Sequence, residues 1–392
     1  MDRIMERHRK KLDLPRGGRI LMQVMTDEEF FDTLLAECIK RNASDLHLTV
    51  GRPPTLRIDG YLHPIEGCPV LIPEMTESFK NIATKDLRHL RAQIDNGGGG
   101  DFALNFRNMA RFRVAVYKQK GYFGMALRLI PRRILSFEEL FVTSHLIPRL
   151  KNLLDRPHGL ILVTGPTGMG KTTTQATFVD YILESPRHVL TIEDPIEFNH
   201  DHKNGLITQR EVGVDVSSFR EAVMKGLRSN PNVILVAEIR DLATSEATIW
   251  AAESGHLVIG TLHTTNAPET VTRFIDIFPP EIRDQIRIQF SLSLLAVISQ
   301  RLLLRAGGKG RVGCYEIMIA TPAVRNLIRE RKTEHLASAI QTSTSEGSIS
   351  FDAYLAELYR AGKVTYETAI ASAFDPKGFR ELVEFGQRNR NR

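Results

Sequence analysis

From Glu28 to Ile39 apolar residues recur every three or four positions, and Phe30, Phe31, Leu34, Leu35 and Ile39 predict an amphipathic helix. The period then changes to two. Asp45-Leu-His-Leu-Thr and Thr55-Leu-Arg-Ile-Asp alternate as strands do, with the turn residues Gly51-Arg-Pro-Pro and Asp59-Gly between them. Alternation returns after Asn96-Gly-Gly-Gly-Gly, a run read as a loop. From Ala110 to Tyr117, Phe112, Val114 and Val116 face one way and Arg111 and Arg113 the other. From Phe123 to Ile130, Phe123, Met125, Leu127 and Leu129 share a face and Arg128 points opposite. Paired as a hairpin, these strands would project three arginines from one side of a sheet, as a solvated face or as a functional one. This is the pattern of a small mixed α+β unit.

Near His158 the pattern changes again. Gly159 to Thr164, His188 to Ile192, Val233 to Val236 and Leu257 to Leu262 are continuous apolar runs separated by helical stretches. Such runs predict a parallel sheet buried on both faces, an α/β domain. The resulting organisation is a flexible basic tail (1–26), an α+β domain (27–135), a connector (136–157), an α/β domain with a helical C-terminal part (158–380) and a second basic tail (381–392).

A length of 392 residues suits two domains, since single cores stop growing at ~250–300 residues. No apolar stretch approaches the ~18–20 residues of a membrane-spanning helix, and the charged start lacks the apolar segment of a secretory signal. Cys38, Cys68 and Cys314 are isolated, which excludes a disulfide framework or a four-thiolate zinc site and fits a reducing cytoplasm. A net charge of +6 suggests acidic partners, but much of the excess lies in Arg7 to Lys11 and Arg388 to Arg392, as in solvated tails.

One segment carries specific chemistry. Gly165-Pro166-Thr167-Gly168-Met169-Gly170-Lys171-Thr172 matches G-x-x-x-x-G-K-[ST], with a buried strand before it and a helical stretch, Thr173 to Leu183, after it. Glycines let main-chain N–H groups converge on phosphate oxygens, and the helix N-terminus adds partial positive charge. Lys171 would reach the β- and γ-phosphates of ATP, Thr172 would place its hydroxyl on Mg²⁺, and Thr173 continues the contact surface.

Phosphoryl transfer also needs groups to hold the metal and to place the attacking water. Thr191-Ile-Glu193-Asp194-Pro-Ile-Glu197 ends a strand with three carboxylates, although Glu193 and Asp194 could equally cap a helix or pair with arginine. Asn232-Val-Ile-Leu-Val-Ala-Glu238 is a buried strand whose first acidic residue, Glu238, stands where Mg²⁺ would be held through water. His256 and His263 flank the strand Leu257 to Leu262; beside Thr264 and Thr265, His263 is placed to sense the γ-phosphate.

Taken in order, the phosphate loop, the acidic box, the strand ending in Glu238 and the histidine box resemble the secretion-superfamily ATPases. Asn42-Ala-Ser-Asp-Leu-His-Leu48 and Ala323-Val-Arg-Asn-Leu-Ile-Arg-Glu330 resemble signatures of its PilT and PilU pilus-retraction branch. The absence of Cys-x-x-Cys separates the chain from assembly ATPases, which carry a tetracysteine insertion. The resemblance implies a PAS-like N-terminal domain and a RecA-like ATPase domain. It further implies a homohexameric, Mg²⁺-dependent motor in the cytoplasm at the inner face of the inner membrane, meeting a pilus platform protein and a PilT or PilU paralogue. It assigns water activation to Glu197 and the Mg²⁺ role to Glu238, and makes Arg111, Arg113 and Arg128 candidates for a phosphate contact. Val324, Leu327 and Ile328 would be buried, leaving Arg325, Asn326 and Arg329 outward. Thr365 to Leu382 is closer to PilU. A nucleic-acid motor is the rival reading, but the interleaved aromatic and basic residues that stack bases are missing and no nucleic-acid partner is expected. A non-hydrolysing ATP-binding scaffold is disfavoured by Lys171, Glu197 and Glu238.

Overall fold

The computed structural model describes residues 25–390 except 59, 108 and 131–132, together with a short antiparallel pairing of Leu12–Asp13 with Arg19–Ile20. The remainder of the tail expected over residues 1–26 lies outside the described residues. Two compact units divide between Arg133 and Ile134.

In the first unit, helix α1 (Asp27–Lys40) begins at a capping box, where Glu29 N–H donates to Thr26 Oγ1 (3.2 Å) and Thr26 N–H to Glu29 Oε2 (2.7 Å). It buries Phe30, Phe31, Leu34, Leu35 and Cys38, and Phe31 stacks on Phe79 with ring centroids 5.5 Å apart. Each such side chain contributes roughly 1.5–3 kcal/mol. The remaining elements are β1 (Asp45–Leu48), β2 (Thr55–Ile58), β3 (Tyr61–Pro64), α2 (Pro73–Ala83), α3 (Arg88–Gly97), β4 (Gly99–Phe106), β5 (Ala110–Gln119) and β6 (Tyr122–Ile130). They form a six-stranded antiparallel sheet in the order β3-β2-β1-β6-β5-β4. The glycine run is not a loop: Gly97 ends α3, Gly98 caps it at φ +81°, and Gly99 and Gly100 open β4. A side chain at Gly99 would put its Cβ 2.8 Å from Val116 O, so close strand pairing rather than loop freedom requires glycine there.

The second unit opens with α4 (Phe137–Leu140) and α5 (Ile147–Leu154), in the stretch expected as a connector. Phe137, Leu150 and Leu154 of these helices, with Phe141 and Leu146 of the segment joining them, are buried in this unit's core. Then follow β7 (Gly159–Thr164), α6 (Lys171–Ile182), β8 (His188–Glu193), β9 (Leu206–Glu211), α7 (Phe219–Gly226), β10 (Val233–Val236), α8 (Leu242–Glu253), β11 (Leu257–Leu262), α9 (Ala267–Asp276), α10 (Arg283–Ser293), β12 (Leu294–Leu304), β13 (Arg311–Ile319), α11 (Pro322–Arg329), α12 (Leu336–Thr342), α13 (Phe351–Arg360), α14 (Tyr366–Ser372) and α15 (Pro376–Arg390). The sheet order is β9-β8-β10-β11-β7-β12-β13, parallel except for β13, which pairs antiparallel with β12. All residues of β7, β10 and β11 are buried, as expected of strands covered on both faces.

Arg301 on β12 packs against both Phe351 of α13 and Phe374, whose rings meet edge to face, its guanidinium carbon 5.1 and 4.3 Å from the two ring centroids. Residues expected as a tail from 381 continue α15 to Arg390. No helix among the described residues is long and apolar enough to cross a membrane.

Candidate active site

Gly165 leaves β7 at φ +147°, and a Cβ there would lie 2.4 Å from Gln300 O, so only glycine lets the loop turn against β12. The loop is then pinned from below. Gln300 Nε2 donates to Met169 O (2.6 Å), Thr174 Oγ1 donates to Gln300 Oε1 (2.8 Å), and Arg311 Nη1 donates to Gly168 O (3.3 Å). Helix α6 starts from Gly170 at φ +83° with no side-chain cap. Its first N–H groups are thus left for an anion. Thr172 and Thr173 stand half-buried in that first turn.

Lys171 Nζ donates to Gly165 O (2.8 Å) and Pro166 O (3.1 Å) and stands 3.4 Å from His263 Nδ1. His263 Nε2 is 2.6 Å from Glu238 Oε1. The tautomer with its proton on Nε2 satisfies both contacts, donating to the carboxylate and accepting from the ammonium. Arg240 pairs with the same Glu238 oxygen. Burial holds the Lys171 ammonium below its ordinary pKa, and the charges of Glu238 and Glu197 oppose that shift. The sheet therefore brings together Lys171, Glu238, His263 and Glu197, each just beyond the C-terminal end of a parallel strand, where open α/β sheets bind ligands.

Glu193 and His256 are engaged within the chain. Glu193 is buried, and Thr191 Oγ1 (2.7 Å) and Gln209 Nε2 (3.1 Å) both donate to its Oε1. As the last residue of β8, its side chain turns toward neighbouring β9. Burial, with a smaller push from the charge of Glu197, raises its pKa to about 7. Asp194, the next residue, is exposed. His256 sits at the start of β11, where Ser254 Oγ and Ala251 O lie 3.2 Å from its Nδ1. A strand of this length separates it from His263 by about 20 Å, so within this chain the two histidines do not share a site.

In the first unit β5 and β6 form the expected hairpin, with Arg113 directly across from Arg128 and Arg111 across from Ile130. Arg128 Nε donates to Asp45 Oδ1 (3.0 Å), and Arg57 approaches the other oxygen of that carboxylate (3.7 Å). Asp45, from the Asn42 to Leu48 signature, thus anchors two arginines across adjacent strands. Arg111 Nη1 donates to Asn105 Oδ1 (3.2 Å).

In α11, Val324 and Ile328 are buried and Leu327 partly so, whereas Arg325 does not face outward. It donates to Ala320 O (2.9 Å), Ser291 O (2.6 Å) and Leu292 O (2.5 Å), closing the C-terminal end of α10. Gln300, Gln209 and a buried hydroxyl chain went unread in the sequence. In that chain Ser299 and Thr164 are 2.8 Å apart, Thr164 and Thr270 3.4 Å, and Thr270 and Thr264 2.6 Å. A polar Ser299-Gln300 pair inside an apolar strand was the available signal.

A parallel sheet carrying this loop, with a lysine, two carboxylates and a histidine gathered beyond its strand ends, defines a P-loop nucleoside-triphosphatase. Residues 24–360 match the family of Type II/IV secretion system proteins, and the chain belongs to that family. It is 43% identical over 349 residues to the type IV pilus retraction ATPase PilT of Pseudomonas aeruginosa, covering 88% of this chain and 98% of the relative. It is 36% identical over 358 residues to the type IV pilus ATPase PilU of the same organism, covering 91% and 92%. The crystal structure of the pilus retraction motor PilT with bound ADP superposes with a TM-score of 0.76 at 42% identity, covering 88% of this chain and 98% of that one. The mixed fold, an antiparallel-sheet domain followed by an ATPase domain, is the one found there.

Proposed function

We propose that this chain is an ATP-hydrolysing motor that withdraws type IV pili. The observation that carries the reading is the convergence of Lys171, Glu238 and Glu197 in a chain collinear with nearly the whole of PilT. Lys171, now on its own loop carbonyls and near His263, would exchange those contacts for the β- and γ-phosphates. The uncapped start of α6 would receive the phosphate oxygens.

Thr172 and Glu238 are hard oxygen donors near the phosphate loop, and a Mg²⁺ held with ATP needs only one or two protein oxygens beside phosphate and water. The donor set fits. When bound, the ion would neutralise phosphate charge. Glu197 would orient and deprotonate the attacking water, and His263, held by Glu238 through Nε2, would sense the terminal phosphate by donating to it from Nδ1 once that nitrogen carries a proton. An arginine contact to the nucleotide completes the proposal, with Arg111, Arg113 and Arg128 as the candidates; in this structure Arg111 donates to Asn105 and Arg128 to Asp45.

The motor would act as a homohexamer in the cytoplasm at the inner face of the inner membrane, against a pilus platform protein and with a PilT- or PilU-type paralogue as a possible partner. Pilus number and fibre retraction in cells lacking the protein test this. Excess pili that never retract, restored by wild type and not by Lys171→Ala, are expected. Bald cells would instead mean assembly, and unchanged pili a different secretion machine. In purified protein, Lys171→Ala and Glu197→Ala should each abolish hydrolysis, and appreciable turnover by either would refute its assigned role.

A further inference from the structure

The loop after β8 carries Glu197 and is tied down by side chains that the phosphate-binding motifs leave without a role. Glu193 closes β8 and is 7% exposed. Its carboxylate accepts from Thr191 Oγ1 (2.7 Å), from Gln209 Nε2 (3.1 Å) and from the main-chain N–H of Glu197 itself. The Gln209 amide nitrogen also donates to Phe198 O (2.8 Å), while Gln209 Oε1 accepts from His200 N–H (2.8 Å). Two positions further along the same face of β9, Glu211 Oε2 accepts from Ile196 N–H (3.1 Å). Main-chain groups of residues 196, 197, 198 and 200 are therefore all fixed to side chains of β8 and β9. β9 is the edge strand of the sheet, so its polar side chains do not serve a further strand on that side.

We propose that Glu193 and Gln209 are positioning residues, which hold the main chain of Glu197 so that its carboxylate meets the attacking water. The proposal rests on Glu197 being the water-activating group. Ionised, Glu193 is an acceptor only, which suits the hydroxyl, the amide N–H₂ and the main-chain N–H that point at it. Glutamine at this position keeps the shape but turns an N–H₂ group toward those donors, so the loop must shift to relieve the clash of donors. Burial raises the carboxyl's pKa to about 7, so the fold already accommodates a neutral group here below that pH, and a neutral isostere is compatible with folding. Gln209→Met keeps the volume and removes every polar link that this side chain makes to the loop.

The test uses the full-length protein with Mg-ATP, steady-state turnover, binding of a fluorescent ADP analogue, and single-turnover hydrolysis in a Glu197→Gln background. Glu193→Gln and Gln209→Met are each expected to lower kcat by about 10- to 100-fold while KM and ADP-analogue affinity stay within about threefold. In the Glu197→Gln background the same substitutions should lower the residual rate by less than about twofold, because a residue acting through Glu197 has nothing left to position. Wild-type kcat in both variants, affinity lost in step with kcat, or full further loss in the Glu197→Gln background would each overturn the positioning role. Wild-type turnover by Glu197→Gln would overturn the role of Glu197 itself and the positioning role with it. Normal dependence on Glu197 with unimpaired Glu193→Gln and Gln209→Met would overturn the positioning role alone.

Discussion

Gln300 is the sharpest test of how the phosphate loop is held. It is 1% exposed and joins two elements, donating to Met169 O in the loop and accepting from Thr174 Oγ1 in α6, where Thr174 is fully buried. Gln300→Met preserves volume and strands both partners. Each buried polar group left unsatisfied costs roughly 1–3 kcal/mol, so the ATPase unit should lose about 2–4 kcal/mol. The lower part of the range applies because the buried Tyr315 phenol, which has no partner of its own, lies near Thr174 and can take over as its partner. Thr174→Val alone strands one group and should cost about 1–2 kcal/mol. The double variant removes both ends of one bond, so its loss should fall short of the sum by about 1 kcal/mol or more. Urea unfolding followed by tryptophan fluorescence reads the correct unit, because the single tryptophan, Trp250, lies within it. KM for ATP should rise in Gln300→Met, since the Met169 carbonyl is no longer anchored. Singles within about 0.5 kcal/mol of wild type, or a strictly additive double, would refute the reasoning.

Other outcomes follow from the same geometry. Gly165→Ala forces Cβ to 2.4 Å from Gln300 O at φ +147°, so ATP binding measured by fluorescence titration should be lost while the first domain still folds. Glu193 binds its proton more tightly folded than unfolded, so its contribution to stability is full below about pH 4.5 and is lost as pH rises through about 7. A rise from 4.5 to about 7 corresponds to about 3 kcal/mol, so Glu193→Gln should flatten the fall in stability between those values in pH-dependent urea melts. Arg325→Ala strands the Ser291 and Leu292 carbonyls and should cost about 1–3 kcal/mol, with hydrogen exchange rising first at the C-terminal end of α10. Asp45→Asn weakens the hold on Arg57 and Arg128, both partly solvated, and should cost about 1 kcal/mol, read as faster exchange in β1 and β6.

The apolar runs matched β7, β10 and β11 to the residue because they are of strand length, too short for a core helix, and bounded by polar or turn residues. The phosphate loop was equally plain, since its glycines and lysine act through main-chain geometry that a linear motif records. What pattern could not show is where a polar side chain spends its hydrogen bonds. Glu193 and Glu197 stand in the same short acidic run, and only the register of β8 against β9 turns one into the sheet and leaves the other beside Lys171. Arg325 looked solvent-facing on a helical wheel, yet the carbonyl end of α10 lies within its reach. The two histidines flank one strand, and a strand separates its ends where a turn would join them. The glycine run looked like a loop because composition cannot distinguish a helix cap followed by a tight strand pair from free chain.

Strand β12 points successive side chains to opposite faces, so Gln300 grips the nucleotide loop while its neighbour Arg301 packs on the rings of Phe351 in α13 and Phe374 in the turn between α14 and α15. One stiff rod thus has two clients. Were nucleotide to displace the loop, the strand would carry the strain to these aromatic contacts, and changes there would act back on nucleotide affinity by the same factor. Substitutions in that helical tailpiece should therefore be scored as nucleotide-affinity variants as well as folding variants.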